Sequence, residues 1–241
     1  MRQKIVSITR LLHLPVVCII CAKYHREPFA VCKVCINLFK PVHYPCQYCA
    51  APLPDHNFLV CGNCVKKKPF FDRTIASYQF REPLRTLLHQ FKYQGELYLC
   101  AFLTNLILNK LDSQALATEC LVPVPLHPKR LRQRGFNQAA ELAKSLARHL
   151  KIPCAVNLCK KILHTEPQVN LDSKLRQTNL RNAFKAKQTK YKHITLIDDL
   201  FTTGSTVNEL AYVLKQQGVQ QVNVWCCART TKSNLKHDTG Y

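Results

Sequence analysis

Ile194-Thr195-Leu196-Ile197-Asp198-Asp199-Leu200-Phe201-Thr202-Thr203-Gly204-Ser205-Thr206 is the stretch on which the fold turns. Residues 194–197 are apolar and largely β-branched, as suits a strand buried on both faces. Val207, Leu210, Ala211 and Leu214 then recur at helical spacing, which predicts a helix over 206–214. The turn between strand and helix is rich in hydroxyls. Its backbone N–H groups, from Thr202, Thr203, Gly204, Ser205 and Thr206, converge where a helix start leaves donors unpaired and its dipole is positive. Gly204 lets the backbone come close to whatever binds there. An anion is the natural occupant.

Asp198 and Asp199 precede that turn, and two adjacent carboxylates repel unless a cation or hydroxyl groups lie between them. Ribose hydroxyls or Mg2+ would serve. The segment therefore reads as a site for a ribose 5-phosphate. A bare Thr-Thr-Gly-Ser-Thr run can be a plain helix cap beside solvated acids; here strand, acids and turn agree in register, which favours the ligand site. These thirteen residues resemble the phosphoribosyl-pyrophosphate (PRPP) motif of type I phosphoribosyltransferases. The resemblance implies that the acids hold the ribose diol and the turn holds the 5-phosphate.

Working outward, residues 71–80 and 222–228 read as strands, and 82–93 and 97–111 as helices. Residues 121–125 form a strand end whose prolines, Pro123 and Pro125, bar it from an ordinary central ladder position. Residues 137–150 read as a helix capped by Asn137, with Ala140, Leu142, Ala143, Leu146 and Leu150 on its apolar side. Strands alternating with helices predict a Rossmann-like, mostly parallel α/β sheet with ligands at the strand C-termini. We draw this domain over 70–241.

The N-terminal part is different. Eight of the 14 cysteines form four C-x-x-C pairs, Cys18/Cys21, Cys32/Cys35, Cys46/Cys49 and Cys61/Cys64. Disulfides and thiolate-bound metal compete as explanations. The other six cysteines, Cys100, Cys120, Cys154, Cys159, Cys226 and Cys227, sit in apolar contexts like small buried hydrophobes of a reducing compartment, which disfavours disulfides. Pairs of C-x-x-C knuckles suit tetrahedral Zn2+. We expect two structural zinc ions, one on Cys18, Cys21, Cys32 and Cys35 and one on Cys46, Cys49, Cys61 and Cys64. Sequential pairing makes each half self-contained; a cross-braced arrangement is the alternative. With four sulfurs per ion no position is left for water, so neither zinc is expected to be catalytic. This double zinc-ribbon module spans 1–69 and closes on Lys66-Lys67-Lys68-Pro69.

The 241-residue chain carries 35 Lys and Arg against 14 Asp and Glu, a formal charge of +21. Eight thiolates and two Zn2+ would remove a net four charges, leaving about +17. That favours a polyanionic partner. Arg2 and Lys4 precede an apolar stretch over 5–21, but Arg10 and His13 interrupt it and no small-residue cleavage site follows. It is too short and polar to span a bilayer, so we expect a cytoplasmic chain without a membrane span.

The segment 127–136 follows the 121–125 strand end and crowds cations: Lys129, Arg130, Arg132 and Arg134. Read as a loop, it faces the crevice of Asp198 and Asp199, where Lys129 and Arg130 would meet a pyrophosphate. The segment 163–184, with Lys174, Arg176, Arg181 and the adjoining Lys185, is long and poor in apolar residues, a candidate lid. Residues 123–138, the 168–184 segment, residues 198–206 and the leading C-x-x-C pairs together resemble the ComF (ComFC/GntX) family of competence proteins across nearly the whole chain. The resemblance implies a bacterial cytoplasmic factor for natural transformation that handles incoming single-stranded DNA, with a zinc-ribbon module joined to a phosphoribosyltransferase-like domain.

Two readings follow. In the first, the chain binds single-stranded DNA and a PRPP-type ligand, with DNA phosphates on Lys66, Lys67, Lys68, Arg132 and Arg134, and with exposed aromatics among Phe39, Tyr44, Tyr48, Phe58, Phe70 and Phe71. In the second it is an active phosphoribosyltransferase releasing pyrophosphate, with Mg2+ accompanying PRPP and the catalytic residues unassigned. A third, weaker reading is a metal-stabilised scaffold for a ComFA-type helicase or a recombination mediator. Replacing both acids by Ala is expected to remove ligand contacts and keep the fold.

Overall fold

The computed structural model describes residues 15–163 and 182–231. The proposed lid over 163–184, with Lys174, Arg176 and Arg181, lies outside the described residues except at its ends, as do Arg2, Lys4, Arg10 and His13.

The N-terminal part has little regular structure: a two-stranded hairpin of β1 (Val16–Val17) and β2 (Tyr24–His25), and two short helices, α1 (Lys33–Ile36) and α2 (Gly62–Lys66). The α/β part then runs β3 (Arg73–Gln79), α3 (Leu84–Tyr93), α4 (Cys100–Leu108), β4 (Cys120–Pro123), α5 (Pro128–Arg134), α6 (Gln138–Leu150), β5 (Cys159–Lys161), β6 (Phe184–Ala186), β7 (His193–Phe201), α7 (Ser205–Gln216) and β8 (Gln221–Arg229). Four strands form one sheet in the order β3-β8-β7-β4, every pairing parallel. β5 and β6 make a small antiparallel hairpin. The expected α/β class with a parallel sheet is what the chain adopts.

The two faces of the sheet follow the two-residue period of a strand. Ile194 and Leu196 of β7, Cys120 and Val122 of β4, and Val222, Val224 and Cys226 of β8 pack with Val207, Leu210, Ala211 and Leu214 of α7. Ile197, Leu121, Trp225 and Cys227 face the other way, against Phe91 of α3, Phe102, Leu103 and Ile107 of α4, and Leu142 and Leu146 of α6. The N-terminal part is docked on this body. Cys18, Cys32, Cys35 and Phe39 join the second of these clusters, whereas Cys46, Cys49 and Cys64 join the first. Phe39 stacks edge-on against Tyr78 and Phe102.

Several sequence expectations need correcting. β7 does not stop at Ile197 but runs to Phe201, so Asp198 and Asp199 are strand residues rather than a strand terminus. The reason is β8, which keeps pairing with β7 through Phe201↔Arg229, whereas β4 leaves it at Pro123↔Ile197. β4 is an edge strand, as its proline requires. The basic segment 127–136 is not a loop: it holds α5, started by Pro128 at its first turn and by His127, whose Nδ1 accepts the Lys129 N–H, and ended by left-handed Gly135. Those are ordinary start and stop signals, outweighed in the sequence reading by the density of charge. The helix read over 97–111 is a 3₁₀ turn, Leu97–Leu99, followed by the shorter α4. Asn137 caps α6 as expected, its Oδ1 accepting the Ala139 N–H at 3.0 Å.

Candidate functional site

The two acids have different surroundings but stay in contact through a side-chain hydrogen bond. Asp198 follows Leu196 to the α7 face and lines a pocket with Leu200, Phe201, Thr202, Gly204, Ser205, Thr206 and Val207. Asp199 is buried beside it. Its Oδ2 lies 3.3 Å from Nζ of Lys92, a residue of α3. The two expected ribose acids therefore differ in their partners. Asp198 belongs to the pocket, and Asp199 belongs to a buried ion pair.

Their protonation follows from that placement. Burial, then the charge of Asp199, pushes the Asp198 carboxyl well above the usual carboxylate range. Burial alone would also raise Asp199, but the Lys92 ammonium, with hydrogen bonds from Asp198 and Gln138, outweighs it and holds Asp199 below its ordinary value. Burial likewise opposes the charge on Lys92, and the two carboxyls overcome it and raise its pKa. The site thus supplies its own cation.

The turn is built around Phe201 and Gly204. Gly204 has φ +80°, and a Cβ added there would lie 2.5 Å from Cζ of Phe201, so only glycine fits over this ring. Thr203 Oγ1 accepts the Ser205 N–H at 3.3 Å and shares a 2.9 Å hydrogen bond with Ser205 Oγ. The first helical bond of α7 is Asn208 N to Gly204 O, so the N–H groups of Thr206 and Val207, with that of Ser205 shared with Thr203 Oγ1, precede the ladder at the helix start. Hydroxyls and amides are both available to an anion.

Of the cations of 127–136, Arg134 is near enough to Lys92 for its charge to oppose that of the ammonium. It donates to Gln138 Oε1 at 2.8 Å and lies 4.9 Å from the ring centre of Tyr93, the neighbour of Lys92. Lys129 and Arg132 are exposed on α5, and Arg130 is half-buried. Arg130 faces Lys161 of β5 closely enough that, after burial, its charge helps to depress the Lys161 ammonium to about 8.

The eight paired cysteines form two clusters, Cys18/Cys21/Cys32/Cys35 and Cys46/Cys49/Cys61/Cys64, with all four sulfurs of each within 4.8 Å of one another. The pairing is sequential, not cross-braced. Cys21 and Cys32 sulfurs are 3.9 Å apart and those of Cys49 and Cys61 3.6 Å, against about 3.8 Å between ligands of tetrahedral zinc–sulfur coordination. None is in a disulfide. Backbone N–H groups already point at the sulfurs: Cys32 N to Cys18 Sγ at 3.5 Å and Cys61 N to Cys46 Sγ at 3.2 Å. Such bonds outweigh burial and draw the Cys18 thiol down to about 6, whereas burial and neighbouring sulfurs push Cys49 up to about 11. A dication would let all four thiols of a cluster ionise together, and these residues fit Zn2+. Lys66, Lys67 and Lys68 run along the exposed edge of the second cluster, with Lys68 Nζ 5.6 Å from the ring centre of Tyr48. Among the six aromatics singled out, Tyr44, Phe58 and Phe70 are exposed, and Phe39 and Phe71 are core residues.

The chain is 35% identical to Competence protein F of Haemophilus influenzae over 222 residues, covering 88% of this chain and 96% of that protein. The chain belongs to the ComF family. It is also 32% identical to DNA utilization protein YhgH of Escherichia coli over 91% of this chain and 100% of that protein, and 27% identical to Competence protein ComFC of Bacillus subtilis over 78% and 79%. No protein-family model matches. Among the described residues no helix is long and apolar enough to cross a membrane. In this ComF chain the sequence reading missed Lys92, Gln138, Lys161 and Arg229, since each acts through a partner distant in sequence. Lys92 carried one signal: with Leu84, Leu87, Leu88 and Phe91 marking the apolar face of α3, it follows directly on Phe91 and so flanks that face.

Proposed function

We propose that the chain is a cytoplasmic competence-type DNA-utilization factor that binds a PRPP-type phosphoribosyl ligand in residues 70–241 and single-stranded DNA on its basic surface, with two structural zinc ions in residues 1–69. The observation that carries the ligand reading is the joint lining of one pocket by Asp198 and the turn Thr202, Gly204, Ser205 and Thr206. A ribose hydroxyl would meet Asp198, and a 5-phosphate would meet the amides and hydroxyls of the turn, Thr203 included. Lys92 compensates Asp199 and so keeps the second acid from repelling the polyanion. Mg2+ would arrive with PRPP, and Asp198 is the acid open to it. Lys129 and Arg130 would face the pyrophosphate.

The competence and DNA-utilization names of the relatives, together with the charge of +21, support the DNA reading. Lys66, Lys67 and Lys68, with Lys68 over the Tyr48 ring, and the exposed Tyr44 and Phe58 would offer phosphates and bases the two kinds of contact a single strand takes. Arg132 is open to the same use, and Arg134 is partly committed to Gln138. We expect affinity for an oligothymidine strand to fall with salt at a log–log slope of about −0.7 per phosphate contacted. Lys66→Gln, Lys67→Gln and Lys68→Gln together should make that slope shallower by about two, with PRPP affinity unchanged. Titrations at four salt concentrations measure it; a strand that fails to bind at low salt would refute the DNA assignment.

A second reading is turnover, with pyrophosphate as the leaving group facing Arg130, which lies near Lys161. Release of pyrophosphate from PRPP in the presence of DNA or a panel of bases separates the two.

A further inference from the structure

Arg229, the last residue of β8, joins the second cysteine cluster to the pocket turn. Its Nε donates to the carbonyl oxygen of Cys49 at 2.9 Å. Its Nη1 lies among carbonyl oxygens on the other side: Phe201 at 3.3 Å, Thr230 at 2.8 Å, and Thr202, the first residue of the turn. The guanidinium also covers the Phe201 ring at 4.7 Å, the same ring over which Gly204 must fit. One rigid fork therefore holds a carbonyl between metal ligands, a carbonyl of the turn, and the ring beneath the turn. The backbone of Arg229 is held independently, by β7 through Phe201 and by β3 through Gln79. The side chain can thus be altered without removing the ladder.

We infer that Arg229 is a positioning residue through which the folded, metal-bound state of the second cysteine cluster sets the geometry of the pocket turn. The consequence is that loss of the ion on Cys46, Cys49, Cys61 and Cys64 loosens a ligand site to which none of those sulfurs contributes. Seating an anion in the turn, in return, secures the ion, since coupling between two sites is reciprocal. This last point rests on the phosphate reading of the turn; the coupling itself does not.

Hydrogen exchange read by mass spectrometry on the zinc-loaded full chain tests both. In Arg229→Gln, amides of 202–207 and 47–51 should exchange at least 10-fold faster than in the wild type, with β4 unchanged as a control for global loosening. Arg229→Lys keeps the charge and part of the stem but has no fork, and should be intermediate; it also serves if the Gln variant does not fold. Both segments exchanging at wild-type rates in either folded variant, or β4 loosening in step with them, would overturn the coupling. Inorganic phosphate added to the wild type should slow exchange of 202–207, and should slow chelator-driven release of one of the two zinc ions at least 3-fold, an effect lost in the Arg229 variants. If phosphate leaves 202–207 untouched while the variants still loosen it, the phosphate reading fails and the role of Arg229 stands.

Discussion

Lys92→Met should destabilise the protein by about 3 kcal/mol at neutral pH, because it leaves the buried Asp199 carboxylate without its cation. The cost is placed at the lower end of the range for broken buried pairs since the Lys92 side chain is 26% exposed while that of Asp199 is 3% exposed. pH supplies the sharper signature. In the wild type Asp199 titrates below its unfolded value, so its contribution is present above the ordinary carboxyl range and disappears as the pH falls through the lowered folded value. Without Lys92 the same burial raises Asp199, and the variant then loses stability as the pH rises through that raised value. The gap between the two proteins should therefore be wide at pH 7.5 and narrow toward pH 4.5. Thermal melts at both pH values measure it, and a gap that is absent or independent of pH would contradict the buried pair. The same reasoning adds a cost to the variant with Ala at both acids: Asp199→Ala strands Lys92, whereas Asp198→Asn leaves the Lys92–Asp199 pair in place.

Stripping the metal should have a still larger effect. Structural zinc sites contribute about 10–16 kcal/mol of apparent binding free energy, and here the ligands are also core residues. Cys18, Cys32 and Cys35 pack in the cluster that contains Phe102 and Trp225, and Cys46, Cys49 and Cys64 in the one that contains Phe201. We expect two zinc ions per chain, one in a Cys46→Ala variant, and cooperative unfolding well below the melting temperature of the loaded protein once a strong chelator removes both. Metal analysis alongside calorimetric melts checks this. One ion per loaded chain, or a stripped protein that melts like the loaded one, would contradict it.

What the sequence made legible follows from range. The parallel sheet, the Asn137 cap and the strand–turn–helix at 194–214 are written in local periodicity and capping, and they stand in the structure. The four C-x-x-C pairs carried the metal clusters because ligand spacing is local too. Burial partners are not local. That β8 extends β7 past Asp198 depends on a strand over twenty residues later, and that Asp199 is held in a buried ion pair depends on a lysine more than a hundred residues earlier. Arg229 carried no pattern at all: its role exists only where the cysteine cluster and the turn meet. The helix at 128–134 was legible and misread, its Pro128 and Gly135 signals outweighed by charge.

The proposed phosphoribosyl site is formed by Asp198 and the turn from Thr202 to Thr206. Isothermal calorimetry of Mg2+–PRPP against the zinc-loaded wild type and Asp198→Asn tests it most directly, since this substitution leaves the Lys92–Asp199 pair in place. Binding by the wild type, at least 10-fold weaker in the variant at equal thermal stability, is the result expected; no heat with the wild type, or equal affinity in the two, would contradict it.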